Sequence, residues 1–424
     1  VLPFLLTMGS DPTRLNTPDS FGYMELARSL QTELRFAGSA GPETFHPPGY
    51  PVFLALTARP AGVEWTAALL WQMSLTAMTI PLVWSAARRI WDAGAPTWIA
   101  VALCALDPMA WVYSQKLLSE SLFSAVFLLH LWLAMPLVDS VSDRGRTREL
   151  RPRALLAGIV GAAATFLRPV TYYWVVILGL LIVVRGLRGT PRRSRALGIV
   201  GMVFVGWFSL VLPWQFRNFE VSGSPEFASV QSHNLLMYRA AGVVSATEHI
   251  PLETARELLI DRRSTADQRD GRNTDFGLAS AILVAHPWAT VRTMAAGAGR
   301  LLTGPGRTVF RLYLGDGAPW GVGASILHRI LLFVCVFAAV VRSRRILPGA
   351  SGQAGLLTGA AIYLLLFSSG PESYSRFVVP ILPILSILAG GIAGSRRSRG
   401  PSSLPRADRS TDSDSATLDP LPSL

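Results

Sequence analysis

The chain has 424 residues, of which half are hydrophobic and only 16% charged, with a mean hydropathy of +0.37 and a net charge of +12. Soluble chains carry about 25% charged residues, so the composition excludes an ordinary soluble domain and indicates an integral membrane protein. The positive charge does not indicate a nucleic-acid partner, because it is gathered in short clusters at alternate ends of successive apolar runs.

Taken in chain order, residues 1–8 (VLPFLLTM) read as the last two turns of a span, as expected of a fragment or a start site placed late. A polar stretch, residues 9–64, follows, with a helix expected from Pro18 to Leu34 and a His-Pro-Pro-Gly-Tyr-Pro turn from His46. Apolar runs then recur at Trp65–Ala86, Pro96–Val112, Leu117–Val138, Ala154–Leu167, Val170–Val184, Ala196–Pro213, Ile326–Val341, Gly355–Phe367 and Phe377–Gly394. Complete runs need roughly 17 to 25 residues to cross about 30 Å of hydrocarbon, and the shorter ones require their flanks. Arg88-Arg89, Arg144–Arg153, Arg185–Arg195, Arg342–Arg345 and Arg396–Arg399 mark alternate ends, the positive-inside pattern. That places residues 9–64, 214–325 and 369–376 on the outer side. With the first helix restored, about ten spans are expected, with both termini inside.

The predicted fold is therefore all-α, a polytopic transmembrane bundle with amphipathic outer-face helices. The membrane domain is expected over residues 1–395, and within its outer segment Leu252–Arg263 and Gly277–Leu302 read as helical. Residues 396–424, rich in Ser, Pro, Asp and Arg, are expected to be a disordered cytoplasmic tail. Cys104 and Cys335 both fall in spans and form neither a disulfide framework nor a metal motif. Lys116 is the single lysine among 39 basic residues, an arginine bias that suggests a GC-rich bacterial genome.

The candidate site lies in the exceptions to the charge rule. Arg168, Arg217 and Arg376 sit at outer ends of spans, as do Lys116 and Glu120. Charge so near hydrocarbon is expensive and usually functional. Arginine suits a phosphate held at headgroup level, although snorkelling or pairing with Glu120 or Glu372 explains each one equally well. Asp19 reads either as a helix N-cap or as a carboxylate aimed at the membrane surface, with Tyr23 on the same helix. His46, held extended by the prolines after it, reads either as a phosphate ligand or as a packed loop histidine.

The ordered series PDSFGYMELARSL, FHPPGYPVFLAL, SESLF, FLRP, LPWQFRN, HPWATV and SRFVVPILP, spanning residues 11 to 390, resembles the GT-C membrane glycosyltransferases. It is similar in particular to the branch of protein O-mannosyltransferases, lipid A aminoarabinose transferases and RgtA/B/C/D-like sugar transferases. The resemblance implies a polyprenyl-phosphate sugar donor, an active site at the outer face of the bacterial inner membrane, and inversion at the anomeric carbon. It implies Asp19 as the catalytic carboxylate, with His46 and Arg376 toward the donor phosphate, where the span-end Arg217 and Arg168 are added as candidates on their charge. Glu120, Tyr23 and Lys116 would position the acceptor or a divalent cation, since some relatives carry one. Many relatives have Asp-Glu where this chain has Asp19-Ser20, and Arg-Tyr where it has Arg376-Phe377. The sugar and the acceptor (glycan, lipid or protein hydroxyl) stay open. A lipid-linked sugar flippase or transporter is the alternative, disfavoured by the absence of a visible internal repeat.

Overall fold

Unbroken runs of Leu, Val, Ala and Phe must satisfy their backbone groups internally in hydrocarbon, and helices do so within one segment. The computed structural model describes residues 16–39, 41–58, 65–91, 93–139, 147–186, 190–270, 274–343, 352–371 and 374–393. These residues are almost wholly helical; one two-stranded antiparallel ribbon pairs Ala37–Gly38 (β1) with Gly41–Pro42 (β2). The expected half-span at residues 1–8 and the tail from 396 lie outside the described residues.

The first polar stretch carries α1 (Pro18–Glu33), the ribbon and α2 (Gly49–Thr57). The bundle follows with α3 (Thr66–Ala77), α4 (Thr79–Ile90), α5 (Ala95–Ala105), α6 (Pro108–Tyr113), α7 (Ser119–Asp139), α8 (Thr147–Leu167), α9 (Trp174–Gly186) and α10 (Thr190–Ser222). The segment expected on the outer side holds α11 (Val230–Asn234), a π-helical turn to Ala240, α12 (Ala241–Glu248), α13 (Leu252–Asp270), α14 (Asp275–Ala285), α15 (Pro287–Thr303) and α16 (Arg307–Leu314). The chain closes with α17 (Ala318–Ser343), α18 (Gly352–Ser368) and α19 (Leu382–Ala389).

The chain is thus an all-α, multi-pass membrane protein. Among the described residues six helical stretches are long and apolar enough to cross a membrane, and four shorter apolar helices accompany them. The expected Pro96–Val112 run is not one helix, because Asp107 and Pro108 stop α5 and start α6. The last run is also broken: a 3-10 turn at Ser375–Val378 precedes the short α19. Helix α10 continues through Pro213 to Ser222, past residue 214 where the expected outer segment starts. The expected Gly277–Leu302 helix divides at His286-Pro287, where the proline occupies the first turn of α15. Buried Ala255 and Leu259 of α13 pack on Leu236, Met237 and Val244 in a small core of their own.

Helix α7 is the central post, with 78% of its apolar window buried inside the protein, against 28–50% for the other candidate spans. Its His130 is a fully satisfied structural residue. Trp174 of α9 donates to Nε2 at 3.0 Å, which leaves Nδ1 to donate to the Ala157 carbonyl of α8 at 2.8 Å. The outer faces of α9, α10 and α17 present Val176, Leu180, Phe216 and Phe337, all more than half exposed, as a lipid-facing surface does.

Helices α8 and α10 meet through glycine on both sides. A Cβ at Gly158 would lie 2.1 Å from the Val203 carbonyl oxygen, and one at Gly206 would lie 2.2 Å from that of Leu155. Small residues let two membrane helices approach to backbone contact. Gly158→Val therefore forces α8 and α10 apart, with an expected loss of about 1–3 kcal/mol. The check is thermal unfolding in detergent, where the variant melts below wild type while Gly198→Val, at a position with open space, melts close to it.

Candidate functional site

The site is built first from the start of α1. Thr17 is the N-cap residue of this helix. Its N–H donates to Ser20 Oγ at 2.9 Å, and the Ser20 hydroxyl donates onward to the Leu117 carbonyl at 2.8 Å. Ser20 is fully buried, so it works as a tie between α1 and the loop before α7. Asp19 is not the cap. Its side chain, 44% exposed, reaches out to Arg376.

The turn that starts at His46 fixes the other flank. A Cβ at Gly49 would lie 2.6 Å from the Phe166 carbonyl oxygen, so only glycine lets this turn rest on the end of α8, just before Arg168. Tyr50 then donates to Gln72 Oε1 at 2.8 Å, and the Gln72 amide donates to the Ser114 and Lys116 carbonyls at 2.9 and 2.8 Å. One buried hydrogen-bond chain thus sets α2, α3 and the loop ahead of α7 in register.

On this frame four charged residues from four parts of the chain converge. Arg376 NH1 lies 2.7 Å from Asp19 Oδ2, and its Nε lies 3.4 Å from Glu120 Oε1. Arg168 NH1 reaches the same Glu120 oxygen at 2.7 Å. Glu120, in the first turn of α7, is 2% exposed, and its other oxygen is buried without a hydrogen-bond partner among the described residues. The two guanidiniums also lie over the Phe377 ring, at 5.1 Å for Arg168 and 5.0 Å for Arg376. Burial opposes the charge on Arg376, but Glu120 and then Asp19 more than offset it and hold the group above its ordinary value, a permanent cation.

Tyr23 lies one turn along α1 from Asp19. Burial raises its phenol above the ordinary value, Glu120 adds to the rise and Arg168 opposes it, so the hydroxyl keeps its proton at neutral pH. His46 stands behind it, with ring centroids 5.6 Å apart and edge to face. Its Nδ1 is 3.5 Å from Glu43 Oε2, beyond normal hydrogen-bond length. Glu43 accepts from the backbone N–H groups of Phe45 and His46. Burial works against the ionised Glu43, and the His46 contacts outweigh it, so the carboxyl sits below its usual value.

Two candidates are placed elsewhere. Arg217 donates to the carbonyls of Glu43 at 2.5 Å and Phe36 at 3.0 Å, and to Asn218 Oδ1 at 3.0 Å, while lying over the Trp214 ring. It clasps the first loop to α10 and is not brought into the Asp19–Arg376 cluster. Lys116 is 1% exposed, with its ammonium 5.7 Å from the Tyr313 ring centroid of α16.

Other residues with a structural part are absent from the candidates. Phe377, the platform between the two arginines, gives no signal in sequence because an aromatic at a span end is ordinary. Asp107, His328 and Arg329 do give one, being charged or polar groups inside apolar runs. Asp107 Oδ1 caps α6 by accepting from Met109 N–H at 2.9 Å, while Arg329 donates to the Leu302 carbonyl at 2.6 Å and His328 Nε2 meets that of Leu103 at 2.7 Å. These contacts make helix ends.

The donor set does not fit a divalent cation. Asp19 and Glu120 already share the Arg376 guanidinium, and no cluster of three His, Cys, Asp or Glu residues arises among the described residues.

No family model matches the chain, and no curated protein matches it. Among solved structures it is similar to ArnT from Cupriavidus metallidurans in the apo state, with a TM-score of 0.46 and 18% identity over 92% of this chain and 58% of that one. The chain thus spans less than two thirds of the length of that protein, and at this level of similarity the functional reading rests on its own residues.

Glu120 compensates two cations from a nearly dry position. Removing one partner of a buried ion pair typically costs about 3–5 kcal/mol. Glu120→Ala is expected to lose stability on that scale, and Glu120→Ala combined with Arg168→Ala to lose less than the two single effects added together. Thermal unfolding of the four proteins checks this; simple additivity would show that the pair is not coupled.

Proposed function

We propose that the protein is a GT-C-type membrane glycosyltransferase. It moves a sugar from a polyprenyl-phosphate-linked donor to an acceptor hydroxyl on a glycan, lipid or protein. The observation that carries this reading is the convergence of Asp19, Glu120, Arg168 and Arg376 at the end of the bundle opposite the arginine-rich ends of α4 and α8. An inverting transfer needs a base exposed to the acceptor and cations at the leaving phosphate, and this cluster supplies both. The ordered GT-C-like motifs support the same reading.

In the proposed reaction the acceptor oxygen attacks the anomeric carbon from the face opposite the phosphate. The new C–O bond forms as the bond to the phosphate oxygen breaks, and the polyprenyl phosphate leaves with the electron pair. Asp19, the exposed carboxylate, takes the acceptor proton. The donor phosphate competes with Asp19 for Arg376, and Arg168 adds a second guanidinium, so charge developing on the leaving group meets dipoles already oriented. Glu120 keeps the two arginines together, and the Tyr23 hydroxyl, still protonated, donates toward a sugar or phosphate oxygen. His46 flanks Tyr23 and is assigned to orienting it. Lys116 and Arg217 hold the surrounding loops.

In this reading the membrane domain runs over residues 1–395, with the first loop (9–64) carrying the base and the outer segment after α10 shaping the acceptor side. The bundle sits in the bacterial inner membrane with the cluster on the extracytoplasmic face.

Asp19→Asn keeps the size of the side chain and removes its basicity. Transfer from a prenyl-phosphate sugar is expected to fall by about 10²–10⁴-fold while the variant still retains the lipid donor. The assay is product formation by the purified full chain, and turnover within a few-fold of wild type would remove the base role from Asp19.

A further inference from the structure

At the end of the bundle remote from Asp19, Pro136 interrupts the hydrogen-bond ladder of α7. A proline offers no N–H to the carbonyl four residues earlier, so the Trp132 oxygen loses its partner within the helix. Two arginines reach it. Arg89, in the last turn of α4, donates NH1 at 3.0 Å, and Arg153, near the start of α8, donates NH2 at 3.2 Å and its Nε to the Leu133 carbonyl at 3.0 Å. Both guanidiniums also lie on the Trp132 ring, 4.3 and 4.8 Å from its centroid. The ring itself is fixed by its N–H, which donates to Ser85 Oγ at 2.9 Å.

One freed carbonyl needs one donor. Here it holds two full positive charges against a single oxygen and a single indole, and like charges so placed repel unless an anion joins them. Among the described residues neither arginine has a carboxylate within ion-pair distance. The carboxylate at the end of the same helix, Asp139, is engaged with the Gly352 N–H at 2.6 Å and the Gln353 amide at 2.8 Å. Trp132 lies seven residues before the last residue of α7, about 10 Å along the axis from the arginine-rich end of that helix. Trp84 and Leu156, on the two helices that carry the arginines, expose apolar surface beside them. Basic pockets between spans on the arginine-rich side suit anionic headgroups, and the guanidinium fork suits phosphate oxygens.

We propose that Arg89 and Arg153, preorganised on Trp132, form a binding site for a phosphate group, occupied by the headgroup of an anionic phospholipid in the leaflet at the arginine-rich end. The site is separate from the cluster around Asp19. Its occupant neutralises the guanidinium pair and pins α4, α7 and α8 together where Pro136 has weakened α7.

The test uses the full chain, delipidated in detergent and titrated with short-chain phosphatidylglycerol or phosphatidylcholine, with bound lipid read by native mass spectrometry. Arg89→Gln and Arg153→Gln each keep an amide donor while removing the charge. Wild type is expected to prefer phosphatidylglycerol, each single variant to weaken that preference, and the double variant to lose it by about tenfold or more. Inorganic phosphate that displaces the phosphatidylglycerol would support the two-arginine site but assign it to a free anion; failure to displace supports the lipid. Undiminished phosphatidylglycerol preference in a double variant that elutes as a monodisperse species overturns the proposal. Should the double variant not fold, undiminished preference in both single variants overturns it equally.

Discussion

The arrangement depends on one nearly dry carboxylate. Glu120 takes Arg168 and Arg376 on the same oxygen at 2.7 and 3.4 Å. Two guanidiniums would otherwise separate, and the end of α8 and the turn before α19 would have no reason to meet. With Glu120 between them both lie about the Phe377 ring, and Arg376 is left with donors for Asp19. The pairing brings the acidic start of α1 to the mouth of the bundle. A buried ion pair is seldom a net source of stability, so its value here lies in where it holds the arginines.

The packing beneath serves that placement. The buried Ser20 hydroxyl fixes α1 to the loop before α7, the Tyr50–Gln72 chain fixes that loop to α2 and α3, and Gly49 seats the first loop on α8. Glycine contacts between α8 and α10 and the His130 bridge across α7, α8 and α9 carry the same register through the bundle. Arginine is used throughout to take backbone carbonyls, those of helix ends by Arg239 and Arg329, those of loops by Arg217 and Arg300, and those beside the Pro136 break in α7 by Arg89 and Arg153.

Much of this was legible in the sequence because charge in an apolar context is costly. Glu120, Arg168 and Arg376 each stand out at a span end and Asp19 at the start of the first polar helix, and the structure brings those four together with Tyr23 beside them. The helix from Pro18 was readable from its proline and its polar first turn. Other features were not readable, for physical reasons. Arg217 carries the same outward signal as Arg376, but its partners are backbone carbonyls of a distant loop, which no residue pattern announces. Apolar periodicity cannot show that Asp107 caps a new helix and ends a span. Nor does a proline within an apolar run reveal which side chains will take the carbonyl it frees, as Arg89 and Arg153 do at Trp132.

In the proposed function the Glu120-bound arginines form a seat for a lipid-linked phosphate. Native mass spectrometry of the detergent-purified full chain, with polyprenyl phosphate added to wild type and to Arg376→Gln, addresses it most directly. Wild type is expected to retain the lipid phosphate and the variant, folded and monodisperse, to lose it by about tenfold or more, as removal of a charge-assisted phosphate contact implies. Equal retention by the two proteins would contradict it, and would leave the arginines as braces between helices.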